Sequence, residues 1–325
     1  MTTTEPAVSS EGTAERYGVI KAAPVRHPGR WVAIAVIVVL VAMLVNMLVF
    51  NPAFNWPFVL EAMNQTPVIA GFVRGTLLVT ALAMILGVGL GVLLAVMRLS
   101  DNPVLRGVSW VYTWFFRAIP RYVLLTIMGA LGILFQDGLA LGVPFDWKII
   151  GLFGGSGDWR FVTLDANQIF AGLAGGVIGL AASEAAYMAE IARAGILSVD
   201  PGQMEAAQAL GMKRSKAMRR VVLPQAMRVI VPPTGNETIA MLKDTSLLAA
   251  IPVITELFFQ LQSIGSRTYQ TFPVLVAASI YYLAASSVLM IGQAYLERRF
   301  GRGFGTTART AKQEAASAIQ AGAAK

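Results

Sequence analysis

Cysteine is absent from the chain, and histidine occurs once, as His27. Disulfides and cysteine-based metal centres are therefore excluded, and a lone histidine in a polar segment reads as a solvated side chain. No GxxxxGK[ST] phosphate loop occurs, so nothing here cradles nucleotide phosphates, and any ATP-derived energy must be released on another polypeptide. Charged residues make up only 14% of the chain against 56% hydrophobic, a balance that excludes an ordinary soluble domain. No segment recurs as a second copy, so the internal repeats common in gradient-driven carriers are missing. The first apolar run is too long for a signal-peptide core and lacks a convincing small-residue cleavage site.

What is present is a series of long apolar segments divided by short polar ones. Residues 1–30 are rich in Thr, Ser, Glu, Ala and Pro and read as a disordered cytoplasmic tail. Trp31 to Phe50 carries no charge and matches the ~20 residues a bilayer requires, giving a first span. Gly71 to Met97 is the second, with Gly87, Gly89 and Gly91 offering a close-approach surface. Ser109 to Phe135 is the third, interrupted by Arg117, Pro120 and Arg121, and a long loop with an acidic bias (Asp137, Asp146, Asp158, Asp165) follows.

Ala166 to about Ile191 is the fourth span. The fifth begins near Met227, where Pro232, Pro233 and Gly235 predict a break or kink, and Ser246 to Leu261 reads as a second short element. Phe272 to Leu296 is the last, before a basic tail over 298–325. Placing both termini in the cytoplasm puts Arg98, Arg106, the basic stretch 200–224, Arg298, Arg299 and Arg302 on the inner side, as the positive-inside rule asks. The expectation is an all-α polytopic membrane protein of six transmembrane helices. Its net charge of +8 lies at span edges, which points to lipid headgroups and topology, with no nucleic acid as partner.

The densest local signals lie in 200–224, DPGQMEAAQALGMKRSKAMRRVVLP. Asp200 is a cap, Pro201 suits the first helical position, and Gln203 stands three residues after the cap. Gly211 ends that helix, and a second one rich in Lys and Arg follows, stopping at Pro224. The first helix presents Met204, Ala207 and Leu210 as a small apolar face. Charge alone would make this a solvated cytoplasmic loop; the capped helix and hinge glycine make it a socket for a cytoplasmic partner.

The run Glu205-Ala206-Ala207, three residues, Gly211, nine residues and Val221-Val222-Leu223-Pro224 resembles the EAA signature of permease subunits of bacterial ABC importers. The flanking AYMAEIARAGILSVDPGQMEAAQALG and LPQAMRVIVPPTGNETIAMLKDTSL are similar to the polar amino acid uptake branch of that family. The resemblance covers roughly 71–300. It implies a type I ABC importer permease fold over 71–297, in the bacterial inner membrane, carrying a polar or charged amino acid. It also implies a coupling loop over 198–224, in which Gln203, Glu205, Ala206, Ala207, Leu210 and Gly211 meet the ATPase. The partners it implies are two ABC ATPase subunits, which bind the ATP and Mg, an extracytoplasmic solute-binding protein, and a second permease copy or paralogue. No cofactor is expected in this chain, and no catalytic residue or metal ligand. The branch commonly begins with the span matching GFVRGTLLVT, so 31–50 is an addition, and the loop 136–165 is longer than usual.

Ionisable side chains at membrane depth cost on the order of 3 kcal/mol each on insertion scales, so each one kept there needs a partner or a task. The substrate-path candidates are Glu184, Arg117, Asn236, Glu237, Lys243 and Asp244. An amino acid zwitterion needs both signs: Glu184 for its ammonium, Arg117 for its carboxylate. Arg117 reads equally as a structural arginine, and Lys243 with Asp244 as an internal ion pair fixing the fifth span. Glu190 and Arg193 form an i,i+3 pair, which leaves Glu184 alone and facing the bundle. The resemblance places the path along spans three to five, with Arg121 standing where the family usually has an apolar residue. Two rival classes are a secondary transporter driven by an ion gradient, which gives no reason for the EAA loop, and a membrane scaffold, which gives none for the intramembrane charges.

Overall fold

The computed structural model describes residues 28–136, 138–143, 145–153, 159–170, 172–251 and 253–300. The expected N-terminal tail up to His27, Asp137, Asp158 and the C-terminal tail from 301, with Arg302, lie outside the described residues. Residues 1–52 and 53–325 form two separate units. In the first, α1 (Pro28–Phe50) is apolar all round from Trp31 onward, the pattern of a helix solvated by lipid.

In the second unit, α2 (Trp56–Met63) leads into α3 (Thr66–Ala70), which continues through a π-helical turn (Gly71–Leu77) into α4 (Leu78–Arg98) as one 33-residue span. Its main partner is α9 (Gly172–Leu197). The contact depends on missing side chains: a Cβ on Gly91 would lie 2.5 Å from the Met188 Cβ and 3.0 Å from the Ala185 carbonyl oxygen. Gly87, one turn earlier, faces α9 in the same way, whereas Gly89 has nothing within 4 Å. Two of the three glycines thus form the seam, at the i,i+4 spacing one helix face requires. Beside it, Val79, Ala83, Leu125, Leu180, Met241 and Leu248 form the largest apolar core.

The expected third span is two helices, α5 (Pro103–Ala118) and α6 (Arg121–Leu134), bent by 102°. Ile119 is extended because it precedes Pro120, which bars the helical conformation at that residue, so the chain turns there. The long loop is not all coil. It contains a two-stranded antiparallel ribbon, β1 (Leu139–Gly142) with β2 (Arg160–Leu164), and the short helix α7 (Asp146–Leu152); the expected fourth span opens with a separate short helix, α8 (Ala166–Phe170), before α9.

The basic stretch forms a helix pair, α10 (Pro201–Ala209) and α11 (Arg214–Ala217). The second helix does not stop at Pro224. It passes through a π turn (Met218–Val222) into α12 (Leu223–Asp244), where the Leu223 N–H reaches five residues back to the Met218 carbonyl. Pro224 follows the π turn directly within this continuous helix, where it withholds one backbone donor without ending the helix. The expected break at Pro232, Pro233 and Gly235 is also absent, since α12 runs unbroken through all three. Packing against α9 and α14 (Thr271–Phe300) holds it, and Thr234 and Thr238 hydroxyls donate to the Ile230 and Thr234 carbonyls at 2.8 and 2.9 Å. The chain breaks instead after Asp244, through a 3-10 turn (Thr245–Ala250), before α13 (Leu257–Thr268).

Among the described residues four helices are long and apolar enough to span a membrane, or five if α5 and α6 count as one span. The count expected was six. The difference is α12, which has 22 residues but carries Arg228, Glu237, Lys243 and Asp244.

The glycine seam yields a paired prediction. Gly91→Leu lowers the unfolding midpoint of the detergent-solubilised protein by an amount equivalent to about 1–3 kcal/mol of overpacking, while Gly89→Leu leaves it unchanged. Equal midpoints for the two variants would show that α4 and α9 are not in close contact.

Candidate functional site

Where α6 begins, directly after the Pro120 turn, Arg121 projects into the bundle and gathers three carboxylates from two other helices. Its Nη2 donates to Glu184 Oε2 of α9 at 2.9 Å and lies 3.6 Å from Glu237 Oε2 of α12, and Nη1 donates to Asp244 Oδ2 at the end of α12. Glu237 and Asp244 are seven residues apart, two helical turns, and so share a face. The Glu184 side chain is fully buried and that of Arg121 is 13% exposed, which makes this an interior network. Gly87 provides the room, because a Cβ there would lie 2.8 Å from the Glu184 Cβ. The guanidinium also sits 4.8 Å from the Tyr187 ring centroid, a cation–π contact.

One guanidinium faces three carboxylates, so with all four groups charged the cluster is net negative. Of the two Glu184 oxygens only Oε2 is engaged; Oε1 is buried with no hydrogen-bond partner among the described residues. A buried acceptor left open is costly, and a cationic donor would satisfy it.

Glu184, Glu237 and Asp244 come together around Arg121, so Glu184 does not stand alone, contrary to expectation. Nor do Lys243 and Asp244 pair. Successive helical residues point about 100° apart, so Asp244 turns to Arg121 while Lys243 lines a groove between α12 and α14 with Tyr282 and Ser286. Asn236 accepts from Gln293 Nε2 of α14 at 2.7 Å, away from the cluster. Arg117 lies one turn before the Pro120 bend, its guanidinium 5.6 Å from the Tyr187 ring centroid, and it is not brought to Glu184. The expected Glu190–Arg193 pair forms at 2.8 Å.

A second buried carboxylate escaped notice in the sequence. Glu256 caps α13, accepting from the Phe258 and Phe259 amides at 2.6 and 3.2 Å, from the Thr76 hydroxyl at 2.9 Å and from the Tyr282 hydroxyl at 2.7 Å. The signal available was an acid immediately before the apolar run Leu257-Phe258-Phe259, a helix-start pattern. It ties α4, α13 and α14 together.

At the α10–α11 pair, Asp200 Oδ1 accepts from the Gly202 amide at 2.7 Å and Pro201 follows it. Gly211 closes α10 with φ +80°, a left-handed conformation natural to glycine, and the Met212 amide reaches the Ala207 carbonyl at 3.1 Å. Gln203 does not bond back to the cap; its Oε1 accepts from Gln225 Nε2 at 3.3 Å, fastening α10 to the start of α12. Ala207 is buried in that contact. Glu205, Ala206 and Gly211 face outward, and Leu210 is 85% exposed, an apolar side chain projecting from a polar helix pair.

A family model described as "Binding-protein-dependent transport system inner membrane component" matches residues 87–302. The chain is 45% identical to the "Arginine transport system permease protein ArgU" of Corynebacterium glutamicum, over 94% of this chain and 90% of that one. It is 33% identical to the "L-cystine transport system permease protein TcyB" of Bacillus subtilis, over 76% and 92%. Among solved structures it is similar to a chain of an "amino acid ABC transporter with histidines", with a TM-score of 0.54 and 32% identity over 72% of this chain and 94% of that one.

Because Arg121 is the cation that neutralises a buried acid, removing it alone is worse than removing both charges. Arg121→Met destabilises the detergent-solubilised protein by about 3–5 kcal/mol, and adding Glu184→Gln recovers part of that loss, as a thermal or denaturant unfolding cycle would read. Strictly additive losses would show that the two side chains do not interact.

Proposed function

The chain belongs to the family of binding-protein-dependent transport system inner membrane components, and from that premise we propose that it is the amino acid permease of an ATP-binding-cassette importer whose substrate is cationic. It is a transport subunit, and ATP is hydrolysed by partner chains. The observation that carries the substrate reading is the excess of carboxylates at Arg121: Glu184, Glu237 and Asp244 around one guanidinium. A substrate guanidinium or ammonium is the chemical equal of the cation already there. It would bond the open Glu184 Oε1 and compete with Arg121 for Glu237 and Asp244, so entry exchanges one counter-ion for another and strands no buried charge. The name of the relative in C. glutamicum, an arginine system, supports the same reading.

Coupling is assigned to α10 and its closing turn. Glu205, Ala206, Leu210 and Gly211 would enter a groove on each of two ATPase subunits, which bind ATP and Mg, with Gln203 and Ala207 fixing the pair against α12. A solute-binding protein delivers the amino acid from outside, a second permease copy or paralogue completes the pore, and both termini lie in the cytoplasm. Since α9 enters the helix pair and α12 leaves it, closure of the ATPases moves both carboxylate-bearing helices as rigid bodies.

Two measurements on the reconstituted complex test this. Arginine uptake exceeds that of citrulline, its neutral isostere, and Glu184→Gln lowers arginine uptake about 10- to 100-fold, the range a lost charge-assisted bond predicts. Equal handling of arginine and citrulline would overturn the cationic reading. Glu205→Lys or Gly211→Val abolishes substrate-stimulated ATPase activity while membrane insertion stays normal; unchanged stimulation in both would remove the coupling role.

A further inference from the structure

Between the C-terminal ends of α4 and α9 and the start of α5, away from the carboxylate cluster, a cleft of about 490 Å³ is lined by Arg98, Arg106 and Arg193 together with Pro103 and Trp110, and no carboxylate lines it. We propose that this cleft binds the phosphate headgroup of an anionic phospholipid of the cytoplasmic leaflet. The proposal takes its sidedness from the coupling role of α10 and is independent of the substrate.

The guanidiniums are held in place. Arg98 Nη1 donates to the Arg106 carbonyl at 3.5 Å, which fixes the last residue of α4 over the first turn of α5. Arg193 is fastened from behind by Glu190 Oε2, which takes its Nε and Nη2 at 2.9 and 2.8 Å and leaves Nη1 outside the pair. The acid on the connecting turn, Asp101, is 98% exposed and is paired with Arg214 at 3.9 Å, so it does not neutralise the cleft.

The start of α5 adds to this field. Its first turn holds no acid, its amides form the positive end of a 16-residue helix, and Arg106 places a further cation there, the arrangement a helix disfavours unless an anion sits against it. Three guanidiniums converging on one space match the oxygen geometry of a phosphate diester.

The walls distinguish a lipid from a free anion. Trp110 and Trp114 stack with centroids 6.2 Å apart and planes within 9°, and both are at least half exposed. They border a second cleft of about 500 Å³ that shares Arg98 and Trp110 with the first and runs along α5 toward Arg117, with Glu190, already paired to Arg193, on its other wall. Exposed Val104, Val108 and Val111 continue that helix's outer surface. Arginines beside paired indoles, followed by an apolar helix face, is the order in which a bilayer presents phosphate, interface and acyl chain.

The test uses the purified importer complex and native mass spectrometry of bound lipid, with phosphatidylglycerol, phosphatidylcholine and inorganic phosphate as probes. Phosphatidylglycerol stays bound to the wild type, phosphatidylcholine is lost, and millimolar inorganic phosphate does not displace the lipid. Arg98→Gln and Arg106→Gln weaken retention about fivefold each, whereas Arg98→Lys with Arg106→Lys, which keeps the charge, retains more than the glutamine pair. Equal retention of the two lipids, displacement by inorganic phosphate, or unchanged retention in the glutamine variants would each overturn the proposal. Arginine-over-citrulline preference reads other residues and another ligand, so either result can fail while the other stands.

Discussion

A single guanidinium fixes the arrangement of the bundle's interior. Arg121 reaches Glu184 on α9 and both Glu237 and Asp244 on α12, and among the described residues no other ion pair joins the start of α6 to those two helices. In a medium that solvates ions poorly, a fully buried glutamate is tolerated only with its counter-ion, so each helix must present its residue at the same depth and in the same rotation. The 102° bend at Ile119-Pro120 and the absence of a side chain at Gly87 follow from this demand: the first aims Arg121 inward, and the second lets Glu184 lie against α4.

What the sequence disclosed was mostly local. The cap at Asp200, the helix it starts and the left-handed close at Gly211 are properties of a few consecutive residues, and each appears in the structure where the pattern put it. The Glu190–Arg193 pair is equally local, and it forms. The Arg121 network joins residues 63 and 123 positions apart, and no spacing rule reaches that far. Arg121 was visible only as a charge where an apolar residue was expected, and the partner it needed was assigned elsewhere.

Proline misled for a related reason. Pro232 and Pro233 remove two backbone donors, and on propensity alone a helix ends before them. Here α12 is clamped between α9 and α14, and the threonines that follow bond back along it, so tertiary packing outweighs the lost bonds. Glu237 and Asp244 both follow that stretch, and the unbroken helix between them sets the two on one face. At Pro120 the residue before the proline, Ile119, is extended and the chain turns. The same residue type therefore gives opposite outcomes at two positions.

The connectivity gives the charge cluster a mechanical meaning. α9 ends at Leu197, three residues before the Asp200 cap, and α12 begins directly out of the π turn that follows α11, so both carboxylate-bearing helices are rooted in the α10–α11 pair. Arg121 belongs to α6, which the chain joins to α4 through α5 and the turn at Ser100–Asn102. The anions and the cation are thus carried by different segments of the chain. Because a hydrogen-bonded ion pair at 2.9 Å weakens steeply with small shifts, the charge cluster holds only while α6 keeps its place against α9 and α12.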